Sequence, residues 1–296
     1  MEALHTNTRI ALNTILVTTD FSQVSKTALA YAAALASQYE AKIVVAHALS
    51  PEPMLSVRLD ALSAAADPAR LEAEAKLVEF VLGDNSLRTR PAKVLLERGE
   101  VWNVISDVVE KNKIDLVVTG THGRQGLKKL VLGSEAEKIY RRATCPVLTI
   151  GPQVPRLGAA KWRLKTILFP TDGSETSMKA LPYALSLAEE NQANLIFLQL
   201  ICLTRYQYRE SEEASAREML RALVPVDAEN WCKPEFVVRF EFPEDGILRL
   251  AEERKADLIV MGVRKSAEGA MSEHTPWPIA SQVVAKARCP VLTVRG

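Results

Sequence analysis

The chain has 296 residues, enough for about two domains at roughly 100–200 residues each. Hydrophobic residues at 48% and charged residues at 25% exclude a disordered chain, which needs low hydrophobicity and high net charge. The formal net charge is +1, so no global attraction to nucleic acid or to an anionic membrane is expected.

Met1 to Arg9 lacks an apolar signal core, and the apolar runs are strand-length, so neither secretion nor a bilayer span is expected. Thr14 to Thr18 reads as a strand. Ser22 to Gln38 reads as a helix, with Ser22 as N-cap and Val24, Ala28, Leu29, Ala32 and Leu35 on one face. Pro51 to Ala64 fits no element and reads as an extended loop. Lys42 to Leu49, Ala92 to Glu97, Asp115 to Thr119 and Pro146 to Ile150 read as further strands. Ala65 to Leu82, the stripe Val101, Val104, Ile105, Val108 and Val109, and Ser134 to Arg142 read as helices. The strands are apolar throughout rather than alternating, which marks a parallel sheet covered on both faces.

The chain then repeats itself. "TILVTTDFS" from Thr14 returns as "TILFPTDGS" from Thr166. "DLVVTG" from Asp115 returns as "DLIVMG" from Asp257, and "ATCPVLTI" from Ala143 as "ARCPVLTV" from Ala287. The order is kept and the offsets differ by loop-sized amounts, so the chain reads as two copies of one domain of about 145 residues. The boundaries expected are 1–151 and 161–296, with the Gly/Pro-rich linker 152–160 between. Copy two has strands near 165–171, 194–201, 235–240, 257–262 and 290–294. The stretch from Arg205 to Arg221 reads as a solvated helix face of mixed charge.

Ligands of open parallel sheets bind beyond the carboxyl ends of the strands. In copy one the first strand ends in Thr18-Thr19-Asp20. The fourth ends in Gly120 and runs into "THGRQGLKKLVLGSEAEKIY". Glycines admit positive φ and close backbone approach, and a helix start offers unpaired N–H groups and a positive dipole end. Ser134 and Glu137 have capping-box spacing, and Arg124, Lys128 and Lys129 make the loop basic. The same residues also fit a plain glycine-rich turn with an ordinary N-cap. The loop is not a Walker A sequence.

The pattern G-x2-G-x9-G-S after an apolar strand, with the early strand-TD-[FG]-S and the terminal CPVL strand, resembles the universal stress protein family over nearly the whole chain. The resemblance implies an α/β fold of two tandem doubly wound domains, each a five-stranded parallel sheet of order 3-2-1-4-5. It also implies ATP binding by copy one, with Mg2+ accompanying the nucleotide. Adenine and ribose contacts then fall on Thr18, Asp20 and Ala48. Phosphate contacts fall on Thr119, Gly120, Gly123, Gly133, Ser134 and Glu135. In copy two Gly262 remains, but Lys265 stands for Gly123 and Trp277-Pro278 for Gly133-Ser134, so ATP is not expected there.

The remaining residues read blandly. His47 is a packing or hydrogen-bonded histidine, and His122 and His274 lie in loops. Cys145 and Cys289 are small buried apolar residues, and no cysteine pair has metal or disulfide spacing. Trp102, Trp162 and Trp231 are packing residues. No nucleophile–base–orienter trio is visible, so the expected function is regulatory nucleotide binding in the cytoplasm rather than catalysis. An ATP-hydrolysing or nucleotidyl-transferring enzyme of the same fold and a nucleotide-independent dimerisation scaffold are the alternatives. The two terminal strands are expected to pair as an intramolecular pseudo-dimer, because apolar sheet edges are normally covered. A homodimer of the whole chain is a further expectation.

Overall fold

The computed structural model describes residues 10–51, 67–84, 87, 91–121, 133–157, 162–202, 209–225, 228–264 and 279–296. Copy one runs β1 (Thr14–Thr18), α1 (Gln23–Tyr39), β2 (Lys42–Leu49), α2 (Pro68–Leu82), β3 (Lys93–Arg98), α3 (Val101–Lys111), β4 (Leu116–Gly120), α4 (Ser134–Arg142) and β5 (Val147–Ile150). Copy two runs β6 (Thr166–Pro170), α5 (Glu175–Met178), α6 (Leu181–Asn191), β7 (Asn194–Leu200), α7 (Arg209–Ala222), β8 (Glu235–Arg239), α8 (Pro243–Glu253), β9 (Leu258–Val263), α9 (Ile279–Lys286) and β10 (Val291–Arg295). The expected loop from Pro51 to Ala64 lies outside the described residues beyond Pro51.

The strands form one sheet of order β3-β2-β1-β4-β5-β10-β9-β6-β7-β8. Each half has the expected 3-2-1-4-5 order. The halves join where β5 meets β10 antiparallel, with Val291 opposite Thr149, Leu292 opposite Leu148 and Thr293 opposite Val147. Leu148 and Leu292 are counterparts in the repeat, so a pseudo-two-fold axis passes between them. The expected pseudo-dimer is therefore a single continuous sheet rather than two packed ones, and each terminal strand covers the other's edge.

The repeated Asp of "DLVV" and "DLIV" fixes the first strand of each half. Asp115 Oδ2 accepts from the Asn13 and Thr14 amides at 2.8 and 2.9 Å. Asp257 Oδ2 accepts from the Lys165 and Thr166 amides at 2.8 and 3.0 Å. Both sheet faces carry apolar clusters that span the two halves, one including Ile15, Leu29, Phe169 and Leu187, the other Leu16, Tyr140, Leu168 and Val284. The central strands β1, β4, β6 and β9 are buried on both faces, which explains their unbroken apolar runs, while the edge strands β3 and β8 are more exposed.

The first helix of copy two is broken where that of copy one is not. Pro182 stands where copy one has Ala30. Proline lacks an N–H and its ring collides with the carbonyl four residues back, so α5 stops at Met178 and α6 restarts at Leu181. The linker is docked in part. Val154 is buried, Tyr31 Oη donates to the Pro155 carbonyl at 3.1 Å, and the Tyr31 and Trp162 rings meet edge-on at 4.8 Å. Burial pushes the Tyr31 hydroxyl up to about 12. Among the described residues no helix is long and apolar enough to cross a membrane.

Candidate functional site

β1 and β4 are neighbours, so their carboxyl ends converge as expected for the switch point of copy one. Thr18 Oγ1 donates to Thr119 Oγ1 at 2.7 Å, and both residues are buried. Beyond Thr18 the chain turns tightly. The Phe21 amide donates to Thr19 Oγ1 at 2.9 Å and the Ser22 amide to Asp20 Oδ1 at 3.0 Å. Ser22 then caps α1, its hydroxyl accepting from the Ser25 amide at 3.2 Å, as its position before the apolar stripe predicts. Phe21 sits at φ 65°, and its ring packs on His47 at 4.4 Å and Phe80 at 6.0 Å. His47 Nδ1 lies 2.7 Å from the Thr19 carbonyl, so this histidine braces the turn. Ala48 is on β2, next to β1, and is half-buried.

Gly120 ends β4 against the start of α1. A Cβ there would lie 3.0 Å from Val24 Cγ1 and 3.3 Å from the Ser25 amide nitrogen, so strand and helix approach closely and a side chain would fit only if Val24 moved aside. Gly133 begins α4, its amide donating to the Thr121 carbonyl at 2.8 Å. Its φ is −64°, which any residue adopts, so positive φ is not what requires glycine here. A Cβ would fall 2.8 Å from the Thr121 oxygen, and that contact is the reason. Gly123, His122, Arg124, Lys128 and Lys129 lie outside the described residues, as do Lys265, His274, Trp277 and Pro278.

The capping-box expectation for Ser134 and Glu137 is corrected. Gly133 is the N-cap and has no side chain to cap α4 with, which makes Ser134 the first helical residue and Glu137 the fourth. Glu137 is used elsewhere, accepting from Arg141 at 2.9 Å and from Ser281 Oγ at 3.2 Å. Glu135 Oε1 takes Lys138 Nζ at 2.7 Å. By helix geometry the N–H groups of Ser134, Glu135 and Ala136 have no intrahelical acceptor, and Ser134 is exposed. The α4 start can therefore receive an anion at the positive end of the helix dipole.

Copy two repeats the turn bond for bond. The Gly173 amide donates to Thr171 Oγ1 at 3.1 Å and the Ser174 amide to Asp172 Oδ1 at 3.0 Å. Burial raises the Asp172 carboxyl, but hydrogen bonds from Ser174 and Ser177 outweigh it and hold the group below the ordinary carboxylate range. Above this turn lies a cavity of about 750 Å3 that sequence reasoning missed. Its walls include Leu198, Leu200 and Met261 from copy two and Tyr140 and Arg141 from α4 of copy one. No local sequence signal marks it, because residues from both copies close it. Gly262 is tighter than Gly120, since a Cβ would meet the Thr176 carbonyl oxygen at 2.2 Å.

Cys289 is buried and Cys145 half-buried, and burial pushes their thiols up to about 12 and about 11, which keeps them protonated. Among the described residues no group of three or more His, Cys, Asp or Glu side chains is gathered for a metal.

The universal stress protein family model matches residues 12–151 and 163–295. A universal stress protein of Mycolicibacterium smegmatis is 26% identical over 299 residues, covering 95% of this chain and 96% of its own. Another, from Thermus aquaticus, is 33% identical over 147 residues, covering 46% of this chain and 97% of its own. The crystal structure of a universal stress protein from Archaeoglobus fulgidus matches with a TM-score of 0.68 at 19% identity, covering 96% of this chain and 98% of that one. Both halves carry the family's sequence and fold, and the chain belongs to the universal stress protein family as a tandem two-domain member.

Proposed function

We propose that copy one binds ATP at its switch point and that the bound nucleotide regulates the protein in the cytoplasm rather than being turned over rapidly. The start of α4, with a glycine N-cap pinned to the end of β4 by the bond from Gly133 to Thr121, supports this most directly. The N–H groups of Ser134 and Glu135 would take phosphate oxygens, with Thr119, Gly120 and Gly133 along the approach. Gly123, outside the described residues, is the further phosphate contact the family pattern implies. Thr18, Asp20 and Ala48, at the ends of β1 and β2, would meet ribose and adenine. Lys138 draws the Glu135 carboxylate into an ion pair, so that the backbone of Glu135 is the part offered to phosphate. Mg2+ bound with the nucleotide would offset phosphate charge.

The test is mass analysis of nucleotide released by denaturing freshly purified protein, with ATP affinity measured by calorimetry. Proline is tolerated at the first position of a helix and lacks only the N–H, so Ser134→Pro removes one donor while keeping the fold. Losing one hydrogen bond to a charged group, about 1.5–3 kcal/mol, should weaken ATP by roughly 10- to 150-fold. Unchanged affinity in that variant would place ATP elsewhere. Fast ATP consumption by the purified chain would favour the enzyme reading.

A further inference from the structure

The continuous sheet ends in β3 on one side and in β8 on the other, and the two edges differ. On β8 the charged residues are engaged within the chain, Glu235 with Arg254 and Arg239 with Glu253. On β3, Lys93 donates to the neutral side chain of Asn112 at 2.8 Å, and among the described residues neither Lys93 nor Glu97 is in an ion pair. Apolar surface gathers at the same edge. Leu71, Val78, Leu82 and Val94 are four of the six large apolar side chains exposed among the described residues. The core takes Ala73, Leu77 and Phe80 of α2, while Leu71, Ala75, Val78 and Leu82 line a shallow groove outside it. Their four-three-four spacing is that of a seam between paired helices. Val78 shares a second groove with Val94 and Leu96, so the α2 seam and the β3 edge form one patch.

The edge is self-complementary in one register. Gly99 donates its amide to the Leu49 carbonyl at 2.9 Å, so by strand alternation Val94, Leu96 and Arg98 turn their N–H and C=O groups outward. An antiparallel second copy can then exchange bonds between Val94 of each strand and Leu96 of the other, with Leu95 on the two-fold axis. That register sets Lys93 directly opposite Glu97 in both directions, at the non-hydrogen-bonded positions where side chains stand closest. An axis normal to the sheet keeps both α2 helices on one face, antiparallel and seam toward seam. We propose that a second copy of this chain docks here, β3 against β3, as an isologous dimer. The occupant is a second copy because the charges and the apolar seam are each matched by their own image. The proposal stands apart from the nucleotide reading.

Sedimentation equilibrium of the full chain over a range of micromolar concentrations tests it, and a monomer–dimer equilibrium is expected. Lys93→Glu sets carboxylates opposite each other and should weaken the dimer about tenfold or more. Adding Glu97→Lys restores opposite charges in reversed order and should recover most of that loss. Both positions are exposed, so neither change threatens the fold. Val94→Pro removes an N–H that faces only the open edge, where proline is tolerated, and should also weaken the dimer about tenfold or more. Leu82→Lys, at a position 74% exposed, should weaken it through the seam. A chain that stays monomeric throughout overturns the proposal. So does a dimer indifferent to any of Lys93→Glu, Val94→Pro and Leu82→Lys, or a failure of Glu97→Lys to rescue Lys93→Glu.

Discussion

In the first copy the turn after the opening strand places Phe21 at φ 65°, and in the second the same turn places Gly173 at φ 73°. Both turns close with matching amide-to-threonine and amide-to-aspartate bonds. The left-handed conformation costs a non-glycine residue about 1–2 kcal/mol, and in copy one the packing of the Phe21 ring on His47 and Phe80 offsets it. Copy two, with glycine, needs no such ring. The comparison shows that hydrogen bonding sets the turn while the space around it is free to diverge. In copy one a ring and a histidine brace the strand ends. In copy two a cavity opens there.

The sharpest way to break the equivalence is at the glycine ending the fourth strand of each half. Gly262→Ala puts a Cβ 2.2 Å from a backbone oxygen, and Gly120→Ala puts one 3.0 Å from a valine methyl that can rotate away. Urea denaturation should show about 3 kcal/mol or more lost for Gly262→Ala and about 1 kcal/mol for Gly120→Ala. Equal losses would mean that the two strand–helix contacts are alike after all. Gly262 is accordingly held by packing.

Next in size is the seam. Leu148 and Leu292 face each other across the pseudo-two-fold axis at 2% and 5% exposure. Leu148→Ala and Leu292→Ala should each cost about 2–5 kcal/mol and should agree within about 0.5 kcal/mol. A marked inequality, read by the same denaturation curves, would show that the axis is only approximate in energy.

The smallest effect is electrostatic and belongs to copy two. The Asp172 carboxyl is depressed in the folded chain, so its contribution is present above its unfolded value and fades as pH falls through the folded one. In Asp172→Asn that part of the acid destabilisation should disappear while stability near neutrality drops slightly. An acid limb identical to that of the parent chain would refute the linkage.

Much of this was legible in the sequence for identifiable reasons. The strands and the two copies followed from apolar runs and the repeat, the strand order from the family resemblance, and Ser22 announced itself by its place before an apolar stripe. The meeting of the β1 and β4 ends followed from the strand order that the family resemblance implies, but the bond between Thr18 and Thr119 there was not foreseen. The capping of α4 was misread because S-x-x-E spacing at Ser134 does not say which residue is the N-cap. Whether Gly133 serves by its φ or by close contact was not legible, because both leave the same letter. The cavity was invisible because Arg141 and Leu198 are far apart in the chain and join only when α4 lies over the second half. The contacts of Gly123 lie outside the described residues.

The seam carries a consequence of its own. Around the axis the counterpart of Glu137 is Ser281, and these two touch at 3.2 Å. A symmetric assembly of two separate first halves would set Glu137 against its own image, a carboxylate against a carboxylate. Joining the halves in one chain removes the need for each surface to suit itself, since the partner is always the other half, held close by a short tether. One half can then keep an acid and the other a hydroxyl at the same place. Covalent fusion has turned a contact between equals into one between specialists.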